Sequence, residues 1–165
     1  MSLAAAFLLI GASVTAELTG VASPGRVIAE RMDAPYKVVA HSGFKLEQVL
    51  PLADRDIAEA AMVVCVDCLF WNGTDRVCDH DVSTARRLFQ MRGAKPMIVA
   101  TVPQHAGQCA EVINKELTEL CKDACILVRL EGELEPPYLH PEADYIEKVV
   151  NKIYAADDRR ISSVP

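Results

Sequence analysis

The fold is decided by residues 5–15, which read AAFLLIGASVT. Residues 5–10 form an apolar run without polar alternation, which is typical of a strand buried on both faces of a parallel sheet. The turn Gly11–Thr15 follows without a break and contains only small or β-branched residues. The stretch therefore predicts a first strand and a strand-to-helix turn, with Ser13 at the carboxyl end of the strand and at the start of a helix.

The same alternation of strand and helix continues along the chain. Further apolar runs lie at residues 37–40, 61–66, 96–102 and 125–130. Helical periodicity is found at residues 26–32, 45–60, 81–92, 106–122 and 141–155. We expect the second helix to break near Pro51, while Pro141 fits the first turn of the last helix. Five such units predict an α/β fold, a three-layer α/β/α sandwich with a five-stranded parallel sheet of the flavodoxin-like type.

The 165 residues suit a single domain. We place this domain at residues 1–156 and predict that residues 157–165 form a polar, frayed C-terminal tail. The apolar run near the N-terminus resembles the core of a signal peptide, but no basic residue precedes Arg26. We therefore expect a cytoplasmic protein.

The charge of the chain bears on its partners. A formal net charge of -6 disfavours nucleic acid and an anionic membrane surface, since both need a basic face. No apolar run is long enough to span a bilayer. The sequence therefore predicts a small-molecule substrate, no nucleic-acid or membrane partner and no cofactor, and it leaves the oligomeric state open.

Cysteine is the other residue type with several readings in this chain. In a cytoplasmic protein we expect the thiols to be mostly reduced. The C-x-x-C pair Cys65 and Cys68, followed by Cys78 and His80, also has a zinc-like spacing, and a Cys68–Cys78 disulfide is a further alternative. Because Cys65 falls in an apolar run, a small core residue is the simpler interpretation, and no metal is expected.

Two residues at the predicted site edge carry chemistry. In doubly wound sheets the ligand lies beyond the carboxyl ends of the strands. Ser13 either caps the following helix or acts as a nucleophile beside turn N–H groups that can hold an oxyanion. His140 lies in the loop after the last strand, at the same edge. A serine nucleophile needs such a base within hydrogen-bonding reach.

With these residues the chain resembles the SGNH (GDSL-like) hydrolase family along nearly its whole length. Gly11–Thr15 resembles the family's first block, Gly43 follows the second strand as its second block requires, and His140-Pro141 ends the last block. Residues 94–103 are typical of the fourth strand, and Asn114 falls in a helix that often carries such a residue. The resemblance implies an acyl hydrolase whose oxyanion hole uses the N–H groups of Ser13 and Gly43 and an Asn side chain.

The chain departs from the family pattern at three places. Ala12 replaces the usual Asp of the first block, so the turn lacks a hydrogen-bonding anchor. The Gly-x-Asn-Asp block is absent, and the nearest amide is Asn72, which is either the oxyanion donor or a turn residue before Gly73. Pro137 stands where the family has the Asp that orients the base. Glu133, Glu135 or a backbone carbonyl then remains to orient His140.

Other side chains are candidates for the same site. Asp67 ends a buried strand there, where a carboxylate either contacts Ser13 or the substrate, or has structural hydrogen bonds. Phe70 and Trp71 either wall an acyl pocket or pack over the core. His105 follows the fourth strand and either lines the pocket or is a solvated loop residue.

These features favour a serine hydrolase of esterase or thioesterase type. It would cleave a small acyl ester through an acyl-Ser13 intermediate with His140 as base. No lid insertion is evident, so we expect an open pocket and a short acyl group. The alternatives are a catalytically degenerate module that binds a ligand or partner on the same scaffold, and a flavodoxin-like nucleotide or flavin binder.

Overall fold

The computed structural model describes residues 6–69, 78–103, 107–122, 124–134 and 142–162, without the side chains of residues 107, 108 and 158–162. Strands and helices alternate through these residues. The strands are β1 (Phe7–Gly11), β2 (Tyr36–Ala40), β3 (Met62–Cys65), β4 (Met97–Ala100) and β5 (Ile126–Val128). The helices are α1 (Pro24–Arg31), α2 (Leu46–Glu59), α3 (Cys78–Arg92), α4 (Gly107–Cys121) and α5 (Ala143–Ser162).

The five strands form one sheet in the order β2-β1-β3-β4-β5, and every neighbouring pair is parallel. One apolar cluster packs α2, α3 and α4 on one face of the sheet. A second cluster packs α1 and α5 on the other face. The predicted three-layer α/β/α sandwich with a flavodoxin-like strand order is thereby confirmed.

Three local expectations are wrong. No helix follows β1 directly, because α1 begins only at Pro24, where Ser23 caps it by accepting a hydrogen bond from the Arg26 N–H. The helix α2 runs through Pro51 without a break, since five buried residues hold it against the sheet. The helix α5 continues to Ser162, so the segment expected to fray after Ala155 is helical to that point. Pro141 lies outside the described residues.

The expectation of reduced thiols is also wrong, because the structure joins the six cysteines in three disulfides. These are Cys65–Cys68, Cys78–Cys109 and Cys121–Cys125, with Cα–Cα distances of 5.5, 5.0 and 5.3 Å. Such separations are normal for disulfides. The alternative Cys68–Cys78 pairing is not formed.

Two features of the described residues concern metal ions and membranes. No group of three or more His, Cys, Asp or Glu side chains within them is arranged to hold a metal ion. None of the helices in these ranges is long and apolar enough to cross a bilayer.

Candidate active site

The candidate site lies where the strand order reverses. The strand β1 pairs with β2 on one side and with β3 on the other, so chain connections leave it in opposite directions. A crevice forms beyond the carboxyl ends of the strands at such a point. The turn after β1 carries Ser13, and Asp67 follows β3 at the same edge.

Ser13 lies in a single turn rather than at the start of a helix. The Ala16 N–H donates to the Ala12 carbonyl at 2.9 Å, and the Leu18 N–H donates to the Ser13 carbonyl at 3.0 Å. Glu17 then reverses the chain with a φ of 56°, in the left-handed region. Ser13 is half-buried in this turn, so its side chain is reachable from the edge of the sheet.

The turn is anchored by the buried carboxylate of Asp67. One oxygen accepts the Val14 N–H at 2.8 Å and the Thr15 N–H at 3.2 Å. The other accepts the Thr15 hydroxyl at 2.5 Å. Asp67 is 1% exposed and Thr15 is 6% exposed, so water does not compete for these bonds. The anchor that Ala12 cannot supply therefore comes from the end of β3.

Gly11 is required for this approach. A Cβ at Gly11 would lie 2.0 Å from an Asp67 carboxylate oxygen and 2.6 Å from the Thr15 hydroxyl oxygen. Both distances are far shorter than a van der Waals contact. The absence of a side chain at Gly11 is what lets the carboxylate reach under the turn.

Burial raises the pKa of the Asp67 carboxyl above its usual value. Hydrogen bonds from Thr15 and Val14 oppose this by favouring the charged form. Asp67 therefore accepts three hydrogen bonds from the turn. Its described contacts are with Val14 and Thr15 and not with the Ser13 hydroxyl.

The arrangement leaves the N–H and the hydroxyl of Ser13 available. The N–H groups of Val14 and Thr15 point at Asp67. Within the described ranges, neither the Ser13 N–H nor its hydroxyl makes a hydrogen bond. An N–H beside a serine oxygen in this state is suited to donate a hydrogen bond to a developing oxyanion.

Gly43 lies in the neighbouring turn. Gly11 is in register with Ala40, the last residue of β2, so the turn His41–Phe44 follows at the edge beside Ser13. The Phe44 N–H donates to the His41 carbonyl at 3.1 Å, and Gly43 has a φ of 76°. Gly43 is exposed, as an N–H donor to a bound ligand has to be.

The Ser13 turn is also fixed at its far end. The Glu17 carboxylate accepts the Ser23 N–H at 2.7 Å and the Arg26 Nε–H at 2.6 Å. Since Ser23 caps α1, this contact ties the end of the turn to the start of the helix. The turn is thus held by β3 on one side and by α1 on the other.

Two structural contacts explain residues that the sequence left ambiguous. The Asn114 amide accepts the Val102 N–H at 2.7 Å and donates to the Val102 carbonyl at 3.1 Å, so it fixes the segment after β4. Glu133 bonds to Lys148 and Lys152 of α5. These bonds lower the pKa of the Glu133 carboxyl. Both of its oxygens bond to lysines of α5, and a role of Glu133 in orienting His140, which lies outside the described residues, stays a prediction.

The remaining predicted site residues lie outside the described residues. They are the base His140, the carboxylate Glu135, the oxyanion candidate Asn72 and the pocket candidates Phe70, Trp71 and His105. The structure therefore brings together Ser13, Gly43 and Asp67 at one edge and leaves the roles of the others as predictions.

Two residues have a role in the site that their sequence pattern does not assign. Thr15 supplies a buried hydroxyl to Asp67, and Gly11 makes room for the carboxylate. The available signal was a glycine at the end of a buried strand, which often marks a close approach of another group.

No protein-family model matches the chain, and no curated protein matches it by sequence. Among solved structures it is similar to a protein described as "a putative SGNH hydrolase from Slackia heliotrinireducens", with a TM-score of 0.62 and 15% sequence identity. The match covers 92% of this chain and 97% of the other. At this identity the likeness concerns the fold alone, so the chain shares the fold of that protein.

Proposed function

We propose that the protein is a serine hydrolase of esterase or thioesterase type, with Ser13 as nucleophile and His140 as base. The observation that carries this proposal is the state of Ser13. Its hydroxyl and N–H make no hydrogen bond within the described residues, while the rest of its turn is fixed by the buried Asp67. A rigid turn around an unpaired serine is what nucleophilic catalysis needs, since positioning accounts for much of the rate gain.

The proposed reaction follows from these groups. The Ser13 oxygen attacks the ester carbonyl carbon, and His140 takes the hydroxyl proton. The carbonyl oxygen becomes an oxyanion, for which the N–H groups of Ser13 and Gly43 are the proposed donors. The bond to the leaving oxygen or sulfur breaks, and His140 returns the proton to it. Water then attacks the acyl-Ser13 ester by the same steps, which regenerates the hydroxyl and releases the acid.

The second candidate is a degenerate module that binds a ligand on this scaffold. It is favoured by the contacts of Asp67, which within the described residues are with the turn and not with a histidine. Such a module would have no need of the Ser13 hydroxyl. The two candidates therefore differ in what removal of that hydroxyl does to turnover.

The test is ester hydrolysis by the wild type and by the Ser13→Ala and His140→Ala variants. We expect either change to lower kcat by about 10³-fold or more, because removing a member of such a group eliminates covalent catalysis. Aryl esters with chains of two to eight carbons report the activity. Circular dichroism checks that each variant is folded.

The matched control is Ser83→Ala, which changes an exposed serine on α3 away from the site. We expect its activity to stay within twofold of the wild type. A wild-type turnover that survives Ser13→Ala unchanged would identify the activity as belonging to another group, and the binding module would then be the better account.

A further inference from the structure

A groove lies between α1 and α5, outside the residues of the candidate active site. It has a volume of about 330 Å³. Six aliphatic or small residues from the two helices and the loop before α1 line it: Val21, Ala22, Val27, Ala143, Ile146 and Val150. Sites for small molecules are mostly apolar and fall in this range of volumes, so the groove suits an uncharged chain.

The groove and the Ser13 turn rest on the same apolar face of the sheet. Val14, next to Ser13, packs in the same apolar cluster as Ile146 and Val150, and Val21 and Val27 pack against that cluster. Glu17 in the turn bonds to Ser23, directly after the two loop residues of the groove wall. Residues that line the groove and the neighbour of Ser13 therefore belong to one apolar cluster.

The direction of the groove follows from the helices. Val21 and Ala22 precede α1, and Ala143 begins α5, so these three residues mark its end at the carboxyl edge of the sheet. At the other end, the Arg31 guanidinium of α1 lies 6.0 Å from the centre of the Tyr154 ring of α5. This contact links the two helices across the groove. An apolar chain held at Ser13 can thus enter at one end and meets Arg31 at the other.

We propose that this groove binds the acyl chain of the substrate, which is then a medium-chain ester or thioester rather than a short one. The inference rests on the proposed function, since it takes Ser13 as the point of attachment. At about 30 Å³ per non-hydrogen atom the groove holds on the order of ten such atoms, which matches an octanoyl group.

The test compares octanoyl and acetyl p-nitrophenyl esters. Each buried methylene strengthens binding by roughly fourfold, so we expect the wild-type kcat/KM to be at least tenfold higher for octanoyl. The variant Ala143→Trp places an indole in the upper end of the groove. It should lower the octanoyl-to-acetyl ratio of kcat/KM by at least fivefold.

The matched control is Ala155→Trp, an exposed position on the same helix that does not line the groove. It should leave the ratio unchanged. If Ala143→Trp does not fold, Val27→Phe narrows the groove from the opposite wall and replaces it. An unchanged ratio in a folded groove variant overturns the inference and leaves the hydrolase proposal intact.

A second readout does not depend on turnover. Octanoate binding to Ser13→Ala protein is measured by calorimetry, alone and with Ala143→Trp added. We expect binding that the added tryptophan weakens at least fivefold. Octanoate binding without ester hydrolysis would retain the groove and overturn the hydrolase. Hydrolysis of both esters with no effect of Ala143→Trp on octanoate binding would retain the hydrolase and overturn the groove.

Discussion

At the residue scale, the contact that carries the candidate site is between Asp67 and the turn after β1. Three hydrogen bonds to one buried carboxylate decide where the Ser13 backbone lies. Gly11 is the condition for that contact, because any side chain there would occupy the position of the carboxylate. Both residues act on Ser13 through the turn.

The first prediction concerns Gly11→Ala. The added methyl group has to displace Asp67 or the turn, and overpacking of this kind costs about 1–3 kcal/mol or more in the free energy of unfolding. We expect that loss in urea denaturation, together with a fall in kcat for ester hydrolysis. The control Ala16→Ser changes an exposed residue of the same turn and should be neutral. A stable, fully active Gly11→Ala protein would contradict the packing described here.

The second prediction separates the shape of Asp67 from its charge. Asp67→Ala leaves two buried N–H groups and a hydroxyl without an acceptor and opens a cavity, at a cost of about 2–5 kcal/mol. Asp67→Asn retains a carbonyl for the two N–H groups and an amide that can donate to the Thr15 hydroxyl. We expect Asp67→Asn to lose much less stability and activity than Asp67→Ala. Equal losses of activity in both variants would assign the charge itself to the reaction.

The sequence predicts part of the site at the scale of single residues. Ser13, Gly43 and Asp67 follow their strands at one sheet edge, and strand order alone brings them together. The partner of Asp67 was not predictable, because the contact joins residues more than fifty positions apart, and nothing local at Thr15 indicates it. From the sequence, Asp67 was a possible contact of Ser13. In the structure it accepts hydrogen bonds from Val14 and Thr15, the two residues after Ser13.

At the scale of elements, the link between the loop after β5 and α5 is electrostatic. Glu133 in that loop bonds to Lys148 and Lys152, which lie one turn apart on the helix. Both lysines favour the charged form of the carboxyl and so lower its pKa. This link fixes the beginning of the chain segment that leads to His140.

The third prediction is the pH dependence of this link. A carboxyl whose pKa is lowered by folding stabilises the protein above its ordinary pKa, and this contribution is lost as the pH falls through the lowered value. We therefore expect Glu133→Gln to be less stable than the wild type at pH 7 and the difference to shrink below about pH 4.5. Glu111→Gln, on an exposed part of α4, is the control. A difference that stays constant from pH 7 to pH 3 would contradict the ion pairs.

The errors in the predicted elements have physical causes at the same scale. Pro51 was expected to break α2. Leu46, Val49 and Leu50 before it and Ala53 and Ile57 after it are all buried, and this burial outweighs one lost hydrogen bond. The end of α5 is polar and gives no apolar pattern, so the sequence placed its end too early. The helix expected after Ser13 is absent because Glu17 turns the chain.

At the scale of the whole molecule, the alternation of apolar runs was sufficient to predict the layers and the five-stranded sheet. Strands buried on both faces have few sequence alternatives, so that signal is strong. Disulfides are not predictable in this way, because they depend on which loops meet. Their presence is unusual in a cytosolic protein and so bears on the predicted location, which stays a prediction.

The fourth prediction concerns the cysteines. Iodoacetamide added to the denatured protein without reductant should leave all six cysteines unmodified, and mass spectrometry after reduction should find six sites. Cys78–Cys109 closes the longest loop, with a sequence separation of 31, so replacing both residues by Ser should cost about 3–4 kcal/mol. Alkylation of all six without reductant would support the reduced thiols expected from the sequence.

The central claim is that Ser13 is a nucleophile held in a rigid turn, and a covalent adduct tests it most directly. The folded protein is incubated with a fluorophosphonate probe, and the modified peptide is sequenced by mass spectrometry. We expect one adduct per chain, on Ser13. The adduct should be absent in Ser13→Ala and present in Ser83→Ala. Folded wild-type protein that stays unlabelled, or that carries its label at another residue, would contradict it.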